Sequence, residues 1–191
     1  MIKAIVFDCF GVLTADTWRE FTATLPEEQR IEASELNRQY GAAYLSKQEF
    51  LQSIKALTGK QPKDIDLLLN TETTKNLVLL QYIAELKSDY KIGLLSNVGN
   101  NWVRDKFLST EEQGLFDEFL FSYEIRIAKP DPEAFKMIAE RLGVEVSECV
   151  MIDDVEYNCS VASSLGMKTV WYDNFQQTKS DLSRLLADSV S

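Results

Sequence analysis

The sequence predicts an α/β fold: a parallel sheet flanked by helices, with a small all-helical segment inserted after the first strand. Three observations predict it. Short apolar runs (Ile5-Val6-Phe7, Lys91 to Leu95 and Cys149 to Ile152) read as strands buried on both faces. Stretches of helical period alternate with them, which implies parallel strands joined by right-handed crossovers. The stretch from Asp16 to about Thr74, by contrast, is polar, helical in period and almost free of β-branched runs.

The first strand stops at Asp8 and is followed by Gly11. Pro26-Glu27-Glu28 opens a helix with proline and acids in its first turn, continuing through Ile31, Leu36 and Tyr40. Ser46 to Glu49 forms a capping box, Phe50, Leu51, Ile54 and Leu57 follow at helical spacing, and Gly59 stops the helix. Pro62 to Leu69 is a third short helix. A plain βα connection runs about 2 to 6 residues, so this stretch reads as a domain of its own. The division is 15–74 for the helical segment, with 1–14 and 75–191 forming the α/β core.

Within the core, Leu77 to Leu86 is an amphipathic helix, and the strand Lys91 to Leu95 ends in Ser96-Asn97-Val98-Gly99. Asn101 to Phe107 is expected to be helical and Phe119 to Tyr123 a strand. Asp131 caps a helix with Pro132 in its first turn, carrying Phe135, Ile138 and Leu142 and ending at Gly143. The strand Cys149 to Ile152 runs into Asp153-Asp154. A helix from Asn158 to Leu165, a last strand from Lys168 to Tyr172 and a tail helix from Gln177 to Val190 complete the chain.

With 191 residues, 45% of them hydrophobic and 26% charged, one well-buried core is expected. The net charge of −10 argues against nucleic-acid and anionic-membrane partners, which it would repel, but not against a small phosphorylated molecule. No apolar run approaches the roughly 20 residues of a membrane span, and MIKAIVFD enters a strand at once, without the apolar stretch of a signal peptide. Cys9, Cys149 and Cys159 are odd in number and sit in expected core elements, which fits a reducing cytoplasm. The chain has no histidine, which removes Ser-His-Asp chemistry, His-ligated zinc and His general bases. A monomer and a homodimer fit equally well.

Ligands of an open α/β sheet bind beyond the carboxyl ends of its strands. Three expected strands end in Asp8, in Ser96-Asn97 and in Asp153-Asp154, and Lys129 reaches the same edge from a loop. Alone, each could be a turn former, a cap or a surface charge; together they make a candidate site. Gathered carboxylates repel one another unless a cation sits among them. All-oxygen ligation by few protein groups suits Mg²⁺, which keeps several waters and binds alongside phosphate. Ser96, neighbouring backbone amides and Lys129 then hold phosphate oxygens, and Asp8 is the nucleophile of an aspartyl-phosphate mechanism.

These residues make the sequence similar to the haloacid dehalogenase-like superfamily of hydrolases over nearly its whole length. Asp8 with Gly11-Val12-Leu13 resembles the first family motif, which carries the nucleophile. Leu95-Ser96-Asn97 resembles the second, which binds phosphate. Lys129-Pro130-Asp131-Pro132-Glu133 resembles the third, whose lysine stabilises nucleophile and phosphoryl group. Met151-Ile152-Asp153-Asp154, with Asn158 and Leu165-Gly166-Met167, resembles the fourth, which binds magnesium. The resemblance implies a Rossmann-like core and a helical cap that closes over the site. It implies Asp8, the backbone carbonyl of Phe10 and Asp154 as metal ligands, with Asp153 supporting them, Asp8 and Lys129 as catalytic groups, and Ser96 and Asn97 as substrate-binding groups.

One position departs from the pattern. Family phosphatases carry a second aspartate two residues after the nucleophile, where this chain has Phe10. General acid catalysis is worth about 10² to 10⁴ in rate. The leading expectation is therefore an Mg²⁺-dependent phosphatase that is weak on alkyl phosphates, or one that draws its proton from Glu20, Glu27, Glu49 or solvent. One alternative is a metal-independent 2-haloacid dehalogenase, since such enzymes have an aromatic residue at this position. Another is a non-catalytic phospho-ligand-binding protein. Trp18, Phe21 and Tyr40 are read mainly as core, Arg30 and Arg38 as a solvated face, and Cys9 as pointing away from the site.

Overall fold

The computed structural model describes residues 1–70 and 74–188. Five strands, β1 (Ala4–Phe7), β2 (Lys91–Ser96), β3 (Glu118–Phe121), β4 (Cys149–Asp153) and β5 (Lys168–Trp171), form one parallel sheet in the order β3-β2-β1-β4-β5. The chain moves outward from β1 through β2 to β3, then returns to build β4 and β5 on the other side. The order therefore switches between β1 and β4, where such sheets open a crevice. Phe7 pairs with Leu94 on one side and Ile152 on the other, so Asp8 and Asp153 leave the ladder side by side.

The strands are apolar on both faces because each face has its own helical cover. Ile5, Phe7, Ile92, Leu94, Val150 and Ile152 face one core, against Leu79 and Ile83 of α5 (Leu77–Leu86). Ala4, Val6, Leu95 and Met151 face a second core with Phe135, Ile138 and Leu142. Four helices, α1 (Thr17–Ala23), α2 (Glu27–Gly41), α3 (Lys47–Thr58) and α4 (Pro62–Asn70), lie between β1 and α5. Among the described residues the remaining α-helices are α6 (Thr110–Gln113), α7 (Ser122–Ile125), α8 (Pro132–Leu142), α9 (Glu156–Ser164) and α10 (Phe175–Asp188). The α1–α4 segment has its own apolar cluster of Phe21, Ala33, Tyr40, Phe50, Ile54 and Ile65. The chain enters it past Thr14 and leaves it at Lys75, and these two residues form an antiparallel bridge. Entry and exit are thus held together, as an insertion into a sheet requires.

Local signals account for most boundaries. Ser46 and Glu49 form the reciprocal capping box of α3, and Gly59 at φ 74° ends it. Asp131 caps α8, and Gly143 at φ 66° closes it. Some expectations need correction. The helical stretch before Pro26 is a separate helix, α1, capped by Asp16, whose side chain accepts the Arg19 N–H. The stretch ending at Phe107 is helical as expected but is a single π turn, Val103–Phe107, and Asn101 just before it donates Nδ2–H to Asp105. β3 stops at Phe121 because Ser122 opens α7. The expected end of the tail helix at Val190 lies outside the described residues. No helix among the described residues is long and apolar enough to cross a membrane.

Candidate active site

The carboxyl ends of β1 and β4 deliver two buried carboxylates to one lysine. Lys129 Nζ lies 2.9 Å from Asp8 Oδ1 and 2.6 Å from Asp153 Oδ2. Asp8 Oδ1 also accepts the Cys9 N–H at 2.6 Å, which fixes the carboxylate on the strand end. Cys9 itself turns to the opposite face, into the first core. Asp153 accepts, besides Lys129, the Val155 N–H at 2.9 Å and Asn158 Nδ2 at 3.0 Å. Its oxygens are thus engaged by the start of α9, and Asp153 holds Lys129 from behind. The Lys129 backbone is clamped in turn by Asn97, which donates Nδ2–H to its carbonyl and accepts its N–H, both at 2.8 Å.

Asp154 completes the group: ligand oxygens of Asp8, Asp153 and Asp154 all lie within 4.8 Å of one another. Burial pushes the Asp8 carboxyl up from 3.8 to about 8; Lys129 opposes this, and the charges of Asp153 and Asp154 add to it. Asp154 is also raised, by burial first, against the pull of Arg19. Burial works to lower Lys129, but Asp153 and Asp8 outweigh it and hold the ammonium above the usual lysine range. With all three acids ionised, the cations Lys129 and Arg19 would leave one negative charge in excess, the repulsion that adds to the rise of Asp8. Asp154 Oδ1 is buried with no hydrogen-bond partner among the described residues. A hard divalent cation ligated by oxygen fits both facts, because it satisfies that oxygen and keeps Asp8 ionised.

Gly11 makes this approach possible. Its φ is +84°, and a Cβ placed there would stand 2.0 Å from Asp154 Oδ2. Gly11→Ala is therefore expected to push Asp154 aside as well as strain the turn. The expected result is a loss of Mg²⁺ affinity of about tenfold or more, by calorimetric titration, comparable to the loss of a supporting contact around a metal. Unchanged affinity would mean that Asp154 has room elsewhere.

Ser96, at the end of β2, is fully buried, and its hydroxyl has no partner among the described residues. Asn97, Lys129, Asp8 and Phe10 line a cleft of about 190 Å³ between core and insertion, closed on the insertion side by Asp16, Trp18, Arg19, Asn37, Tyr40 and Leu68. Phe10 is partly buried and stacked on Trp102, with ring centroids 5.8 Å apart. Trp18 and Tyr40 are thus cleft walls as well as neighbours of Phe50. Arg38 pairs with Glu35 on the exposed face of α2. Neither Glu20, Glu27 nor Glu49 lines the cleft; the insertion's carboxylate that does is Asp16. Sequence reasoning missed Arg19, whose Nη1 lies 2.5 Å from Asp154 Oδ2.

Residues 2–166 match the family model described as haloacid dehalogenase-like hydrolase. The chain belongs to this family of hydrolases. As a haloacid dehalogenase-like hydrolase it is similar to a phosphatase of Mycobacterium tuberculosis, 27% identical with 97% of this chain and 94% of that protein aligned. It is also 26% identical to a D-ribitol-5-phosphate phosphatase of Bacteroides thetaiotaomicron, covering 97% and 99% of the two chains. A family enzyme from the same organism, solved in complex with magnesium and inorganic phosphate, superposes with a TM-score of 0.70 at 28% identity, over 91% of this chain and 95% of that one.

Proposed function

We propose that this hydrolase cleaves small phosphate monoesters with Mg²⁺ as cofactor, through an aspartyl-phosphate on Asp8. The observation that carries the reading is the Lys129 ammonium bridging Asp8 and Asp153 beside the unpartnered Asp154 oxygen. Asp8, Asp154 and the Phe10 carbonyl would hold Mg²⁺, with Asp153 behind them, and the bound ion would neutralise the carboxylates and draw charge from the phosphoryl oxygens. Lys129 and the Cys9 N–H orient the Asp8 carboxylate for attack on phosphorus. The Ser96 hydroxyl, lacking a partner among the described residues, is available to a phosphoryl oxygen, and Lys129 offsets the charge that builds there. Asn97 serves this subsite chiefly by clamping Lys129. Water then hydrolyses the acyl phosphate and restores Asp8.

The α1–α4 insertion acts as the cap, and the amides of Asn37 and Asn100 with Tyr40 suit the hydroxyls of a small sugar or polyol phosphate. The buried thiols of Cys9, Cys149 and Cys159 suit a reducing cytoplasm. Phe10 offers no proton to the leaving oxygen. Reactivity is therefore expected to fall steeply with leaving-group basicity, aryl and acyl phosphates exceeding alkyl phosphates by about 10² to 10⁴ in kcat/KM. Assays of p-nitrophenyl, acetyl and simple alkyl phosphates, with Mg²⁺ or EDTA, test this. Turnover that requires Mg²⁺ supports the reading, and a rate independent of leaving group means that another acid replaces Phe10. Phe10 in the cleft wall also favours a haloacid substrate, because halide needs no proton to leave. Halide release from 2-chloropropionate in EDTA would replace the phosphatase reading with that one.

A further inference from the structure

Arg19 belongs to the helical insertion, yet its guanidinium lies on a carboxylate of the core. Nη1 is 2.5 Å from Asp154 Oδ2 and Nε is 3.4 Å from Asp16 Oδ2, so two carboxylates share one cation. Asp16 also accepts the Arg19 backbone N–H at 2.9 Å, which fixes the root of the side chain in the first turn of α1. The Arg19 side chain is 48% exposed, whereas that of Asp154 is 9% exposed. The carboxylate is buried, and the guanidinium has room to move.

We propose that Arg19 is an exchangeable counter-ion. It holds Asp154 while the carboxylate cluster has no divalent cation, yields that carboxylate when the cation binds, and then holds the anionic end of the substrate. The inference rests on the Mg²⁺-dependent phosphatase reading. A guanidinium at Asp154 Oδ2 opposes a divalent cation at Oδ1 of the same carboxylate twice, by competing for its charge and by repulsion between like charges. Asp16 keeps the displaced side chain at the cleft instead of releasing it to solvent. Arg19 and Lys129 are the cations lining the cleft among the described residues. Lys129 is buried between two carboxylates, which leaves Arg19 as the one able to turn towards an entering anion. Its planar fork matches phosphate oxygens in pairs.

This role gives Arg19→Ala effects of opposite sign on two ligands. Calorimetric titration of Mg²⁺ alone should show affinity about two- to fivefold tighter than wild type, the scale of a partly exposed ion pair. Titration of inorganic phosphate into the Mg²⁺-saturated variant should show affinity weaker by a similar factor. A purely structural role would weaken both. Arg19→Lys, which keeps the charge but not the fork, should leave Mg²⁺ affinity near wild type and still weaken phosphate binding. Equal or weaker Mg²⁺ binding by Arg19→Ala overturns the exchange. Failure of the wild type itself to bind Mg²⁺ overturns the phosphatase reading as well, so the two failures are told apart by the wild-type titration.

Discussion

Asp8→Asn is expected to abolish turnover and, without divalent cation, to make the protein more stable. The rate should fall by about 10⁴-fold or more, as loss of a nucleophile does. The stability gain follows from the charge count. With Asp8 ionised, three carboxylates of the core face Lys129 and Arg19; with asparagine, Lys129 is left to Asp153, and Arg19 to Asp154 and the more exposed Asp16. The asparagine oxygen still accepts from the Cys9 N–H. The pH dependence has a definite sign. Burial raises Asp8 in the folded state from the usual 3.8 to about 8, so its contribution to stability is complete below about 3.8 and is lost as pH rises through 8. The variant lacks that loss. In EDTA its advantage should be absent near pH 4 and grow to about 1 to 3 kcal/mol near pH 9. A chain of this size converts 1 kcal/mol into about 2 to 4 °C of Tm. Calorimetry at both pH values reads the gap. Adding Mg²⁺ should narrow it, because the wild type binds the ion more tightly. A wild type more stable than Asp8→Asn in EDTA at pH 9 would contradict the charge count.

That excess charge is the part of the site most legible in the sequence. Asp8 and Asp153 announce themselves because each ends an apolar run, and a parallel sheet sends all such ends to one edge. The same regularity gives the strands and α3, whose Ser46 and Glu49 satisfy each other's backbone amides within four residues. Lys129 is legible only by its place before a capped helix. What the sequence conceals depends on contacts between distant segments. Asn97 reads as a phosphate ligand, yet both its amide groups are bonded to the Lys129 backbone, a pairing set by how the β2 and β3 loops approach. Glu20, Glu27 and Glu49 are acids of the right segment on the wrong faces, since helix packing decides which side meets the core. α1 does carry a signal, Asp16 as cap with Trp18 and Phe21 three apart, but the stronger start at Pro26 overshadows it. Nothing local separates Arg19 from an ordinary surface arginine, because its partner arrives from the far end of the chain.

The opposite substitution should have the opposite sign. Lys129→Met replaces a buried, doubly paired ammonium with an apolar side chain of similar length, leaving Asp8 and Asp153 face to face. Removing one partner from a buried ion group costs about 3 to 5 kcal/mol, far more than the packing change of the swap. In EDTA at pH 8, urea denaturation should show a loss of this size, and no turnover should survive at any Mg²⁺ concentration. The loss should shrink towards pH 5. Without Lys129 the Asp8 carboxyl is raised further, binds a proton on folding and so regains stability as pH falls. Asp153 keeps the Val155 N–H and Asn158 in either case, so the lost ammonium is felt chiefly at Asp8, which must either carry an unpaired charge or take up a proton. Asp8→Asn in the Lys129→Met background should accordingly recover at least about 1 kcal/mol more than it gains in the wild type, a coupling that a double-mutant cycle measures directly. A Lys129→Met protein as stable as wild type at pH 8 in EDTA would mean that the carboxylates do not repel one another. The physical case for a cation among them would fall with it.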